Sequence, residues 1–285
     1  MAGVHGLKNR IKSLESTKQM TKSMKTVSAT RLRKNQVAYM RLRPYAEKSR
    51  EMLEAVAACA GAEKQELLSK RENIVRQCYV LFVGNRGLCG VYNQNVLNHL
   101  CDNLQEDGKE KFMVVCGRWG KENFLKAGLR IERVFDEFSD TPSFAEAREL
   151  TAYLVDLYLS GRADEIILVH QRYESVIQQV PVMYSVLPVN AGGGKAGREY
   201  IFEPDRDKVL AMLARHYVEN MVYAALLEAR TGEQAARMTA MTTASDNADE
   251  LIRKFKLELN HMRQAAITTE IAEIAGGSAV LDEQN

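Results

Sequence analysis

The chain has 285 residues, 46% of them hydrophobic and 7% aromatic, with a net charge of +2; that supplies a core for one large or two modest domains and is too apolar for a disordered chain. No apolar run approaches the ~20 residues of a membrane span, and the five cysteines make no Cys-x-x-Cys pair and no metal-ligand spacing, which reads as reduced thiols. The near-neutral total hides a pole: residues 1–50 carry 13 basic and two acidic side chains, leaving the other 235 residues at −9, and a pole of one sign points to an acidic protein, a nucleic acid or an anionic surface.

The first part, 1–58, has apolar residues at Val4, Leu7, Ile11 and Leu14, then Met20, Met24 and Val27, then Leu32, Tyr39, Leu42, Leu53 and Val56. Steps of three and four predict one long amphipathic helix with a narrow seam. Its phase slips between Leu14 and Met20, a local change of supercoil. Pro44 lacks a backbone donor and predicts a kink or short break. The basic, acid-poor composition matches a mitochondrial transit peptide, but the helical pattern runs past the length of one, so 1–58 is expected in the working protein.

The second part, 73–203, alternates. Cys78–Val83 is a continuous apolar run, expected as a buried strand; Val91–Leu104 has helical spacing; Phe112–Cys116 is a strand, Trp119–Ala127 a short helix, Arg130–Phe135 a strand. Thr141 is expected to cap a helix with Pro142 in its first position, ending at Leu159 before Gly161. Glu165–His170 and Val176–Leu187 are strands, the second an edge strand because it carries Pro181. Strand–helix alternation predicts a mostly parallel, Rossmann-like sheet covered by helices, followed by a glycine-rich linker at Ala191–Gly197.

The third part, 205–285, has no proline and keeps helical spacing from Leu210 to Leu227. Gly232 interrupts without ending it, and Met238, Met241, Ser245, Ala248, Ile252, Phe255, Leu259, Met262 and Ala266 continue the seam. Helices of 55 and 75 residues would span about 80 and 110 Å, whereas a globule of this length is about 50 Å across. A helix with a single apolar stripe needs a partner. The fold class expected is therefore α/β: a long antiparallel coiled coil of the two chain ends plus a central α/β domain.

Three stretches resemble the gamma subunits of F-type ATP synthases: LESTKQMTKSMKTVSATRLR at 14–33 with Arg43-Pro44-Tyr45; RGLCG at 86–90; and GEQAARMTAM at 232–241 with SDNA at 245–248 and RQAAITTEIAEIAGGSAVL at 263–281. Ile267, Thr268, Glu270, Glu273 and Gly277 fit the family's C-terminal signature, with Ser278 where Ala is usual. The resemblance implies a non-catalytic rotor shaft without a cofactor, turning inside the hexamer of alpha and beta subunits. At its other end it would dock with the epsilon subunit on the membrane rotor ring, so that membrane contact is indirect. It implies partner contacts at Met24 with Lys22 and Lys25 flanking it, at Arg86 and Gly87 near the hexamer's lower rim, and at Arg263 and Gln264 beside a loop that grips the shaft. Arg237 is a further contact candidate, as are Thr268, Glu270 and Glu273 of the signature. An arginine fork on a carboxylate can act as a salt-sensitive catch. Chain length and the missing presequence favour a bacterial protein, peripheral at the cytoplasmic face of the plasma membrane.

Plainer readings stand beside these. From spacing alone Met20 and Met24 are seam residues. The loop Gly84–Gly90 lacks both Gly-x-Gly-x-x-Gly and the Walker Lys-Ser/Thr, so a structural turn outweighs a phosphate cradle. Glu270 and Glu273 share a helix face without a His or Lys near in sequence, so an acid pair for catalysis is not expected. Two other functions remain open: a nucleotide-binding α/β enzyme, which would carry a phosphate fingerprint with an acid ~20 residues on, and a basic coiled-coil nucleic-acid-binding protein, for which Tyr39 and Tyr45 are the sole aromatic readers among the basic residues.

Overall fold

A computed structural model describes residues 2–60, 65–69, 71, 73–104, 107–119, 128–190 and 201–282, with backbone alone at 2–3, 59–60 and 275–282. The expected short helix lies, but for Trp119, in 120–127, and the glycine-rich linker lies in 191–200; both fall outside the described residues. The chain divides into two units, residues 27–239 and residues 1–26 with 240–285.

In the larger unit five strands form one sheet: β1 (Arg76–Phe82), β2 (Glu110–Cys116), β3 (Arg130–Phe135), β4 (Glu165–Tyr173) and β5 (Gln179–Leu187). Their order is β3-β2-β1-β4-β5. The first three pairings are parallel and β4–β5 is antiparallel. Pro181 thus sits on an edge, where a missing ladder donor is tolerated. Alternate residues of β1 and β2 point into two separate cores, as strand geometry requires. Cys78, Val80, Phe82, Phe112 and Val114 pack with helix α3 (Phe144–Leu159), with the end of helix α1 (Ala2–Ala60) through Leu53 and Val56, and with the start of helix α4 (Arg206–Asp282) through Leu210, Val218 and Leu226. On the other face Tyr79, Leu81, Met113, Val115 and Val169 pack with helix α2 (Tyr92–Asn103) through Val96, Leu97 and Leu100. The inner strands β1, β2 and β4 are buried on both faces, and their near-continuous apolar runs follow from that, whereas the edge strand β3 is half-exposed.

Helix α3 starts two residues later than Thr141 and Pro142 suggest. Ser143 is its cap: Ser143 Oγ accepts from the Glu146 amide, and the Glu146 carboxylate accepts from the Ser143 amide. This reciprocal pair satisfies two orphan donors and leaves Pro142 just outside the helix. Just before it, Asp140 holds α1 twice, its carbonyl accepting from Asn35 Nδ2 at 3.0 Å and its carboxylate pairing with Arg31 at 2.9 Å.

Helix α1 runs through Pro44 without a break. Met40, whose carbonyl the missing donor would have met, is 72% exposed, so water can take that group's place. The seam differs from the apolar reading as well. Met20 and Val27 are exposed, while Thr21, Ser28 and Asn35 are buried between Ile11, Leu32 and Leu42 along the same stripe.

In the smaller unit α1 and α4 lie antiparallel: Lys18 pairs with Asp249 while Glu15, three residues earlier, pairs with Lys256, seven residues later. Leu7, Ile11, Met241, Ala248 and Ile252 are buried there. Met262 is 36% exposed and every side chain described from His261 to Ile274 is exposed, so the expected seam ends near Leu259 rather than Ala266.

Candidate functional site

The EQAARM stretch of α4 meets the loop after β1 in a buried charge cluster. Glu233 lies between two arginines on its own helix face: Oε2 accepts from Arg230 Nη1 and Oε1 from Arg237 Nη2, each at 2.7 Å. The three side chains are 3%, 4% and 7% exposed in the order Arg230, Glu233, Arg237. Both arginines also donate to the loop. Arg230 reaches the Val83 carbonyl and Asn85 Oδ1, and Arg237 reaches the carbonyls of Arg86 and Gly87. One carboxylate in a low-dielectric setting thus holds two guanidiniums that also donate to three backbone carbonyls and the Asn85 side chain, while the buried Arg230 Nε has no partner among the described residues. The Gly84 amide donates to Asn93 Oδ1 on α2. A Cβ at Gly84 would lie 2.9 Å from the Glu233 carboxyl, so the close approach requires glycine.

This geometry accounts for Arg237 within the chain itself. Its guanidinium is buried and its charge is paired with Glu233 while it fixes the loop. Arg86 and Gly87 are exposed, with Leu88 beside them at φ 63° and 61% exposed. The loop is a turn held by the two arginines of α4. Arg230 and Glu233 went unread in the sequence, although Arg230, Glu233 and Arg237 stand at i, i+3 and i+7 on one face.

A second polar cluster also went unread. Tyr39 on α1 hydrogen-bonds Glu228 on α4. His170 Nε2 lies 3.8 Å from Glu228 Oε2 and 3.4 Å from the Tyr184 hydroxyl. Burial pushes His170 down to about 4, which keeps it neutral at pH 7. Burial also pushes the Glu228 carboxyl up. The available signal was one acid inside the apolar run YAALLEA.

Of the other expected contact residues, Lys22 and Lys25 are exposed and Met24 between them is half-buried. Arg263, Gln264, Thr268, Glu270 and Glu273 are exposed on α4, and the Thr268 hydroxyl donates to the Gln264 carbonyl at 2.9 Å. Arg263 stands 14 residues past Asp249, the partner of Lys18, about 20 Å along the helix. The structure therefore gathers Arg86, Gly87 and Arg237 at one place and separates the remainder into two patches on the smaller unit.

The model of the ATP synthase family described as "ATP synthase" matches residues 4–281. The ATP synthase gamma chain of Moorella thermoacetica is 42% identical over 282 residues, covering 99% of this chain and all of that protein, and the gamma chain of Staphylococcus epidermidis is 36% identical over 289 residues with the same coverage. Among solved structures, a chain of the Euglena gracilis mitochondrial ATP synthase comprising OSCP, F1 and c-ring has a TM-score of 0.72 at 19% identity, covering 98% of this chain and 95% of that one. A rotor chain of the same organism's enzyme has a TM-score of 0.68 at 20% identity, covering 93% and 99%. Matches of this length and identity place the chain in the ATP synthase gamma-chain family.

Proposed function

We propose that this chain is the central rotor shaft of an F-type ATP synthase, a non-catalytic subunit that couples ion flow through a membrane rotor ring to ATP chemistry in a hexamer of alpha and beta subunits. The observation that carries the reading is the smaller unit. Two antiparallel helices bury a narrow seam and then leave α4 with Ile267, Ile271 and Ile274 at 45%, 62% and 73% exposure. Large apolar side chains recurring on an unpaired helix are a surface made to be covered. An alpha/beta sleeve suits it, because an apolar lining has few hydrogen bonds to break as the helix turns. Met24, Lys22 and Lys25 would face an acidic lever of the beta subunit, and Arg263 with Gln264 a gripping loop. The exposed turn at Arg86–Gly87 would face the hexamer's lower rim. The epsilon subunit and the rotor ring would take the unit that carries the sheet. The complex would lie at the cytoplasmic face of a bacterial plasma membrane.

The test is reconstitution with alpha and beta subunits. Ile271→Glu is expected to lower assembled ATPase activity severalfold more than Lys254→Glu, and the double substitution Arg263→Ala, Gln264→Ala to impair hydrolysis while the chain stays folded. Equal activity of the two charge variants, with full activity of the double variant, would remove the apolar sleeve and the catch together.

A further inference from the structure

A cavity of about 290 Å³ opens in the larger unit between three elements: Gln36, Tyr39 and Met40 of α1, Tyr173 at the end of β4, and Glu228 and Thr231 of α4. Its wall is mainly apolar and aromatic. The Gln36 amide donates to the Tyr173 hydroxyl at 2.7 Å, and Thr231 spends its hydroxyl on the Leu227 carbonyl at 2.6 Å. Among the described residues of the lining, Glu228 is the one charged group. Its side chain is only 12% exposed, and the nearest basic side chain, His170 at 3.8 Å, is neutral at pH 7. Arg172 acts on it from further off, with its own fork 3.3 Å from Glu174. The carboxyl thus sits mostly out of water with a phenol hydroxyl for company, and burial favours its protonated form; its ionised form costs free energy there unless a positive group arrives.

We propose that this cavity is a binding site for a small organic ammonium ion, its charge on Glu228 and its hydrocarbon part against Met40, Tyr39 and Tyr173. Three arguments select that chemistry. A divalent metal needs several oxygen ligands, and one carboxylate cannot supply them. An anion would meet Glu228. A compact ammonium is a cation that a single carboxylate and aromatic side chains can both solvate. The volume stands at the low end for ligand pockets, which fits an amine of a few heavy atoms. The site is independent of the shaft reading: it uses none of the residues assigned to the hexamer.

The experiment titrates the full-length chain with n-butylammonium chloride, followed by chemical-shift changes of backbone amides, with 1-butanol as the neutral counterpart. Saturable shifts confined to residues around Gln36–Met40, Tyr173 and Glu228–Thr231 are expected with the ammonium and absent with the alcohol. Glu228→Gln should weaken binding about tenfold or more and Tyr39→Phe less. Glu228→Gln keeps the shape of the carboxyl, and its unfolding midpoint against wild type checks that the fold persists. Should that variant be unfolded, a Met40→Trp variant that fills the cavity while leaving Glu228 in place must abolish the shifts. Equal binding by the alcohol, undiminished binding by a folded Glu228→Gln, or no saturable shift in the wild type would overturn the proposal.

Discussion

Glu233 lies between two buried arginines, and among the described residues it is the one acid paired with them. Removing the charge while keeping the shape leaves two desolvated guanidiniums competing for carbonyls, and breaking such a pair costs about 3 kcal/mol or more. Glu233→Gln is therefore expected to lower the unfolding free energy by about that amount, read as a shift of the urea midpoint at unchanged slope. It should also loosen the Arg86–Gly87 turn, which Arg237 holds through two carbonyls. At this scale the sequence was least legible. Arg237 reads the same on a helix whether it faces water or a loop 150 positions earlier. The residues that share its burial were identifiable only once β1 and α4 were brought together. Thr21, Ser28 and Asn35 hid for a related reason: small polar side chains fill a close helix contact as well as apolar ones, and a hydrophobic reading passes over them.

The elements themselves were legible wherever one physical force dominates. β1, β2 and β4 matched within three residues at either end, because strands buried on both faces must be apolar nearly throughout, and the half-exposed edge strand β3 matched residue for residue. Val176–Leu187 lost its first three residues to the hairpin turn, where the Ser175 amide donates to the Gln178 carbonyl. Proline and glycine misled in proportion to their surroundings. Pro44 is harmless on an exposed face. Gly232 persists in α4 because a Cβ there would come within 3.1 Å of the Tyr92 ring, and that ring is tied down by a 2.7 Å bond from its hydroxyl to the Ala229 carbonyl. Gly232→Ala sets a helix-propensity gain of ~1 kcal/mol against overpacking of about 1–3 kcal/mol. The substitution is expected to lower the melting temperature in the wild type and to raise it in a Tyr92→Ala background. Differential scanning calorimetry of the two pairs checks the sign reversal.

For the whole molecule, the division of charge matters more than its sum. Thirteen basic residues in the first 50 make the early part of α1 a cationic surface, and exposed charge of one sign steers encounter with an oppositely charged partner. Association of the chain with alpha and beta subunits is expected to slow as ionic strength rises past the point where the screening length falls below about 10 Å. Neutralising Lys22 and Lys25 together should flatten that dependence without changing the folded fraction; stopped-flow association rates across a salt series measure both. The order of helix, sheet domain and helix was readable because periodicity survives over long windows, whereas the division at residues 26 and 240 leaves no mark in composition. The double hold of Asp140 on α1 has a mechanical consequence. It works as an indexing pin: sliding α1 by one turn, about 5.4 Å, would have to release Arg31 and Asn35 from the same loop residue at once and leave a fully buried amide facing nothing. The first helix is thereby denied half-steps against the sheet, and torque reaching it must either leave that registry untouched or break it outright.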